Sequence, residues 1–193
     1  MRWNIVCGGP AGVGPNFLAN LISKGLAEKG FYVFASREYE SRIRGGHNYN
    51  IITFSDSQIY SNSVEIDLLI ALDDISIDKH KHEMKKKSFL IRADKHNAFA
   101  AGEAFRLLGI DFPILDSELK KLGNYDENIT EARKGYENEK RGIALPKLKG
   151  SKKIEFISGN EGVAFGAIKS GLDFYYAYPM TPATGVLFEL AKS

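Results

Sequence analysis

Four glycines fall within the seven residues Gly8-Gly9-Pro10-Ala11-Gly12-Val13-Gly14. The apolar run Trp3 to Cys7 precedes them and reads as a buried strand. After them, from Asn16 to Lys29, the apolar positions Phe17, Leu18, Leu21, Ile22, Gly25 and Leu26 recur with the 3.6-residue period of an amphipathic helix. Pro15 suits the first turn of that helix and Gly30 ends it. A strand that passes through glycines directly into a helix opens an α/β unit, so the chain is committed early to a sheet covered by helices.

The rest of the first 145 residues agrees with that start. Phe31 to Ala35 and Tyr49 to Phe54 read as strands. After a turn at Asp56-Ser57, Gln58 to Ser61 reads as a short hairpin strand. Ile66 to Leu72 is a continuous apolar run of the kind covered on both faces, closed by Asp73-Asp74. Ser88 to Ile91 is a further strand, Asn97 to Leu108 a helix with Gly109 beyond it, and Ile110 to Ile114 one more short strand. The expected fold is an α/β three-layer domain with a mixed, mostly parallel sheet, the hairpin supplying the antiparallel part. From Ser117 to Arg141 hydrophobic residues are sparse, as in surface helices broken near Gly123.

Residues 146–153 have linker composition, and a second unit runs from 154 to 193. Its expected elements are a strand Ile154–Ile157, a helix Glu161–Lys169, a strand Phe174–Tyr178 and a helix starting near Pro182. About 40 residues is near the size below which a unit rarely folds unaided. The segment is either an appendage on the first domain or the beginning of a second α/β domain. The last helix has no sheet to cover, which favours a truncated piece of a longer protein.

A formal net charge of +2 gives no electrostatic case for nucleic acid or a membrane surface. There is no apolar run of about 18 residues and no signal peptide at the N-terminus. A single cysteine, Cys7, points to a reducing cytoplasm. It can neither close an internal disulfide nor supply the four thiolates an iron–sulfur cluster normally takes. It is expected as a small buried hydrophobe. His80, His82 and Glu83 suggest a metal at first sight. The i, i+2 spacing puts the two imidazoles on different helix faces, so a solvated basic helix is the better reading and no metal ligand is assigned. His96 belongs near a helix start.

The glycine turn brings backbone N–H groups and a helix N-terminus to one point, which attracts phosphate. The dinucleotide spacing G-x-G-x-x-G is broken at Phe17, and Pro15 stands where the Walker motif needs lysine. A tight turn that lets helix and sheet pack closely explains the glycines equally well. Ser36-Arg37 after the second strand is the one feature favouring a 2′-phosphate, and with it an NADP-binding oxidoreductase domain as the alternative reading.

The stretch Glu38-Tyr-Glu-Ser-Arg-Ile-Arg-Gly-Gly-His-Asn48 carries more chemistry than a strand connection needs. Arg42, Arg44 and His47 surround Gly45-Gly46 and suit a phosphate or carboxylate clamp, or else a loop that docks on a partner subunit. Together with Gly8 to Gly14, this stretch resembles the gamma domain of the 2-oxoacid:ferredoxin oxidoreductases, which comes first in their fused alpha subunits. A second motif, Gly159-Asn160-Glu161-Gly162-Val163-Ala164 followed by Tyr178-Pro179-Met180-Thr181-Pro182, resembles the opening of the next, thiamine-enzyme pyrimidine-type domain. The family commonly has Ile and Ser where this chain has Met180 and Ala183, while Pro10-Ala11 resembles the fused variants.

The resemblance implies oxidative decarboxylation of a 2-oxoacid to an acyl-CoA with electrons passed to ferredoxin. It implies thiamine diphosphate, Mg²⁺ and an iron–sulfur cluster held mainly by other subunits, and coenzyme A as co-substrate. The implied partners are a beta subunit and, indirectly, ferredoxin, in an oligomer. The fragment alone is expected to be inactive. By the same resemblance Thr181 lies near substrate and thiamine diphosphate, beside its expected role as a helix N-cap. Gly9, Gly12, Gly14, Arg42, Arg44, Gly45, Gly46, His47 and Asn48 are the expected ligand-binding residues. A pure subunit-interaction module is the further alternative, and which 2-oxoacid is used is not implied.

Overall fold

The computed structural model describes residues 1–39, 46–93, 96–146, 148 and 154–192. It divides into two compact units, Met1–Glu155 and Phe156–Ser193.

The first unit is a five-stranded sheet with order β2-β3-β1-β4-β5. β1 (Arg2–Pro10) is central. It pairs in parallel with β4 (Ile66–Ala71) and antiparallel with β3 (His47–Ser55). β2 (Tyr32–Tyr39) adds antiparallel to β3, and β5 (Met84–Arg92) adds in parallel to β4. Four strands therefore run one way and β3 alone runs back. The carboxyl ends of β1 and β2 lie at the same edge as the start of β3.

One sheet face carries the main core. Trp3, Ile5 and Cys7 of β1, Ile52 and Phe54 of β3, and Leu68 and Ile70 of β4 pack beneath α1 (Pro15–Glu28), α3 (Asn97–Leu107) and α4 (Phe112–Leu119). Leu18, Ile22 and Leu26 are the helical contribution that the 3.6-residue period requires, and all three are fully buried. Trp3 stacks on Phe54 at 5.3 Å between centroids, and Phe31 meets both rings edge-on. Phe31, Phe54 and Phe105 have no solvent exposure, and each contributes about 2–3 kcal/mol by leaving water. The other face has a smaller core of Val6, Ile66, Leu69 and Ala71, with Ile77 of α2 (Asp74–His80) packed on it. Asp73 caps α2 by accepting from the Ser76 backbone N–H at 2.8 Å. The layering is thus uneven: three helices lie directly over one face, and a single two-turn helix lies on the other.

Three sequence expectations change. Gln58–Ser61 is not a strand. The loop is tied down by side chains instead: Ser63 N donates to Thr53 Oγ1 at 3.0 Å, Asn4 Nδ2 to Ser63 O at 2.8 Å, and Asn62 Nδ2 to Ser36 Oγ at 2.6 Å. These bonds satisfy the backbone without a ladder, so the antiparallel character comes from β3. Ile110–Ile114 is not a strand either. Pro113 lies in the first turn of α4, where its missing N–H costs nothing. The charge-rich segment after Ser117 is not purely solvated: α5 (Tyr125–Asn138) packs closely on α3 through Gly102 and Gly135, with few buried hydrophobic side chains of its own. The break between α4 and α5 lies at Gly123 and the left-handed Asn124.

In the second unit, α6 (Gly159–Lys169) and α7 (Ala183–Ala191) are the regular elements among the described residues. Ile154–Ile157, at the boundary between the units, and Phe174–Tyr178, expected as strands, form none. A strand is defined by its neighbour, and no described strand lies beside either segment. Phe174, Tyr176 and Tyr178 are largely exposed. Among the described residues no helix is long and apolar enough to cross a membrane.

Candidate functional site

The sheet edge that gathers the ends of β1 and β2, the start of β3 and the start of α1 holds a cleft of about 170 Å³. Ala11 and Gly12 of the glycine turn form one wall with Pro15 and Asn16 of α1, and Arg37, Glu38 and Tyr39 of β2 with Asn48 and Tyr49 of β3 form the other. Asn50 Nδ2 donates to Asn16 Oδ1 at 3.0 Å and ties the two walls beneath the opening.

The glycines serve different ends. Gly12 has φ +82° with no atom within 4 Å of where a Cβ would be, so it is free to face a ligand. Gly14 has φ +121° and N-caps α1 with no side-chain hydrogen bond to the helix. A Cβ there would sit 2.1 Å from Asn97 Nδ2, which itself donates to Val13 O at 2.6 Å. Gly9 is a packing glycine, its missing Cβ replaced by Leu72. The uncapped helix start and Arg37 attract an anion, while Glu38 alternates with Arg37 and sets its carboxylate beside Tyr49 on the opposite face. Ser36, the partner of Arg37 in the NADP reading, faces the other side of the sheet, where its hydroxyl is bonded to Asn62.

Arg42, Arg44 and Gly45 lie outside the described residues. Gly46 has φ +129°, and its carbonyl accepts from Asn48 Nδ2 at 3.1 Å. Asn48 lines the cleft and His47 does not. The pleat turns His47 onto the opposite face, where it is 5% exposed and its Nε2 lies 2.9 Å from His80 Nε2. His80 is equally buried, and its Nδ1 lies 2.7 Å from Glu83 Oε2. The expected solvated helix is therefore incorrect at His80. Ile77 and His80 stand three apart, so they share the inward face of α2. That spacing was the available signal. Burial lowers the His47 pKa from its ordinary value, a charged His80 would lower it further, and Asp73 partly offsets both. The ring of Tyr49 stacks on His47 at 5.2 Å and meets His80 edge-on at 4.7 Å. Burial, then Glu38 and Glu83, raise the Tyr49 phenol above its usual value.

In the second unit, Ser158 and Glu161 form a reciprocal capping box: Glu161 N donates to Ser158 Oγ at 3.2 Å, and Ser158 N to Glu161 Oε2 at 2.6 Å. The side chain of Asn160 occupies the space that a Cβ on Gly185 would need, so the α6 start meets α7 there. Thr181 is exposed and precedes α7, but the N-cap is Pro182 and receives no side-chain bond. The helix begins at Ala183, one residue later than the capping role requires, so Thr181 is not its cap.

Among the described residues the donor set does not suit an iron–sulfur cluster or a resident metal. The one thiol, Cys7, is fully buried, and burial drives its pKa far up, away from the thiolate a cluster binds. Among the described residues no three His, Cys, Asp or Glu side chains converge as metal ligands.

The family model described as pyruvate ferredoxin/flavodoxin oxidoreductase matches residues 4–141. The alpha subunit of a 2-oxoacid:ferredoxin oxidoreductase from a Sulfolobus species is 38% identical over 85 residues, 44% of this chain and 13% of that protein. The 2-oxoglutarate synthase subunit KorA of Methanocaldococcus jannaschii is 45% identical over 40 residues, 21% of this chain and 11% of that protein. The matched segments are thus a small part of those relatives' length. Among solved structures, the 2-oxoglutarate:ferredoxin oxidoreductase of Magnetococcus marinus, with 2-oxoglutarate, coenzyme A and succinyl-CoA bound, superposes with TM-score 0.80 at 21% identity. That superposition covers 99% of this chain and 41% of the other. The gamma subunit of a Geobacter sulfurreducens keto/oxoacid ferredoxin oxidoreductase superposes with TM-score 0.61 at 19% identity, covering 71% of this chain and 95% of that one. Both likenesses establish the fold.

Proposed function

The chain belongs to the pyruvate ferredoxin/flavodoxin oxidoreductase family, and from that membership we propose that it is the gamma-type part of an alpha subunit that works with a beta subunit to oxidise a 2-oxoacid. In that reaction the C1–C2 bond of the 2-oxoacid breaks, carbon dioxide leaves, the acyl group joins the thiol of coenzyme A, and the released electron pair passes to ferredoxin. The observation that carries the reading is the span of the family match: residues 4–141 reach every strand of the sheet and include every residue of the cleft.

We assign the two units accordingly. Residues 1–145 are the gamma-type domain, 146–153 the linker, and 154–193 the start of a thiamine-enzyme pyrimidine-type domain. Thiamine diphosphate supplies the electron sink for decarboxylation when bound. It, Mg²⁺ and the cluster are assigned to the rest of the assembly from the resemblance, and among the described residues no side chains converge as ligands for a metal or a cluster.

The cleft is assigned to the anionic end of coenzyme A. Arg37 supplies the charge, Gly12 lets the ligand approach the backbone, and the uncapped N-terminus of α1 supplies N–H groups. From the resemblance, Arg42, Arg44 and Gly45 are assigned to the same ligand together with Gly14, Gly46 and Asn48, while Gly9 is left to its packing against Leu72. His47 acts from behind the cleft wall rather than in the cleft. Thr181 is assigned to the 2-oxoacid.

The test is reconstitution of the full-length alpha subunit with its beta subunit. Dye reduction is then assayed across several 2-oxoacids with and without coenzyme A. Arg37→Ala should raise KM for coenzyme A about tenfold, the loss of one charge-assisted contact, and leave KM for the 2-oxoacid unchanged. An unchanged KM for coenzyme A removes the ligand from this cleft. Micromolar binding of NADPH that is lost in Arg37→Ala replaces the reading with the dinucleotide one.

A further inference from the structure

Behind the cleft wall, His47, His80 and Glu83 form a line of hydrogen bonds that ends in an unpartnered atom. Glu83 Oε2 lies 2.7 Å from His80 Nδ1, and His80 Nε2 lies 2.9 Å from His47 Nε2. The last nitrogen, His47 Nδ1, is buried and has no hydrogen-bond partner among the described residues. Both rings are 5% exposed.

Hydrogen counting fixes the tautomers. A carboxylate only accepts, so His80 Nδ1 carries a hydrogen and donates to Glu83. In the neutral ring His80 Nε2 is then bare and accepts from His47 Nε2–H. That leaves His47 Nδ1 bare. One hydrogen fits on the axis between the two Nε2 atoms. A further proton on either ring therefore puts a hydrogen on His47 Nδ1, whether it arrives there directly or is pushed across from His80. That N–H has no acceptor among the described residues, and buried unpaired donors are rare in folded proteins.

We propose that His80 and Glu83 are positioning residues that hold His47 as the Nε2–H tautomer, and that the line is a proton-sensitive latch fastening the start of β3 to α2. Asn48, the next residue, projects to the other face and lines the cleft, so releasing His47 loosens that wall. The other charged and titratable groups around the pair are accounted for. Asp73 Oδ1 is occupied by Ser76 N–H, and Tyr49, stacked on His47 and edge-on to His80, remains a neutral phenol next to Glu38 and Glu83. Burial and the neighbouring His80 both resist charge on His47, in the direction the latch requires.

Nitrogen-15 long-range NMR on the 193-residue chain reads the tautomers directly. At about pH 7.5 His47 should be Nε2–H and His80 Nδ1–H. As the pH falls, His47 should stay neutral past the ordinary histidine value of about 6.5. Near pH 5.5 the amides of Asn48 to Asn50 should exchange about tenfold faster than intrinsic exchange predicts. Glu83→Gln changes a half-exposed side chain and should preserve the fold. Its amide can donate or accept, so it should mix the tautomers at about pH 7.5. The proposal is overturned by a His47 Nδ1–H tautomer at neutral pH, by pH-independent corrected exchange at Asn48 to Asn50, or by Glu83→Gln leaving both rings unchanged. No ligand or second subunit enters the experiment, so its failure leaves the reading of the cleft standing.

Discussion

Gly102 of α3 and Gly135 of α5 let two helix backbones touch: a Cβ on Gly102 would lie 2.0 Å from the Ala132 carbonyl oxygen, and one on Gly135 would lie 2.0 Å from that of Phe99. No side chain can yield to make room, because the obstruction is backbone on both sides. Gly102→Ala and Gly135→Ala should each destabilise the first unit by about 3 kcal/mol, the upper end of overpacking costs. Urea unfolding checks this as a lower midpoint with an unchanged slope. The double variant should cost less than the sum, since either methyl alone already separates the helices.

The glycine turn should separate conformational from packing cost. Gly12→Ala meets open space and suffers only its left-handed φ, a cost of about 1 kcal/mol. Gly14→Ala has an unfavourable φ and also displaces Asn97, and should cost about 3 kcal/mol. Adding Asn97→Ala to Gly14→Ala should recover part of that loss, a coupling a double-mutant cycle measures. In the reconstituted enzyme Gly12→Ala should raise KM for coenzyme A well beyond its small effect on stability.

Glu139 is 4% exposed and is held by Arg141, whose Nη2 donates to its Oε2 at 2.6 Å while Arg141 Nε and the backbone N–H donate to Oε1. The Arg141 hydrogen bonds depress the Glu139 pKa against the opposing effect of burial. A depressed carboxylate stabilises the fold above its unfolded value of about 4.3, and the contribution is lost as the pH falls through the lower folded value. Arg141→Ala leaves the buried carboxylate without its main donor and should cost about 2 kcal/mol at neutral pH. Glu139→Gln should flatten the acid side of the stability profile measured by urea unfolding.

Thr181→Ala should leave helix content and thermal stability unchanged by circular dichroism, because Pro182 and not Thr181 caps α7. In the reconstituted enzyme the same change should lower kcat/KM for the 2-oxoacid about tenfold, with Thr181→Ser retaining most activity. Full activity in Thr181→Ala would remove the residue from the substrate site.

The sheet was legible where periodicity is strong. The Leu18–Ile22–Leu26 stripe, the Ile66–Ala71 run and the glycine turn each point to one local structure, and each forms it. Legibility failed where tertiary contacts decide. Nothing local states that Thr53, Asn4 and Ser36 will hold Asn62 and Ser63 away from a hairpin ladder. Only the docked position of α2 reveals that His80 points inward, because its charged neighbours Lys79 and Lys81 disguise the Ile77–His80 spacing. At the site, the turn and Asn48 were readable as motif. Asn16 and Arg37 reach the cleft because β2 ends and α1 starts at the same sheet edge, a fact of topology rather than of composition. Thr181 lies one residue before the observed cap, because the helix starts at Ala183 after Pro182.

The strand order has a consequence for how the chain assembles as it is made. β1 is synthesised first yet sits in the middle, and its two neighbours arrive only with residues 47–55 and 66–71. β2, although second in sequence, reaches the sheet only by way of β3. A nascent chain ending before Ile66 can at most build a three-stranded antiparallel ribbon with one edge of β1 open, and unpaired strand edges are where chains associate wrongly. The parallel half, closed by long connections, then forms late and at the larger entropic cost. Emergence of β4 is therefore the step at which β1 ceases to be an edge strand, and a ribosome-stalled series bracketing residues 66–71 should show protease resistance of the N-terminal strand appearing there.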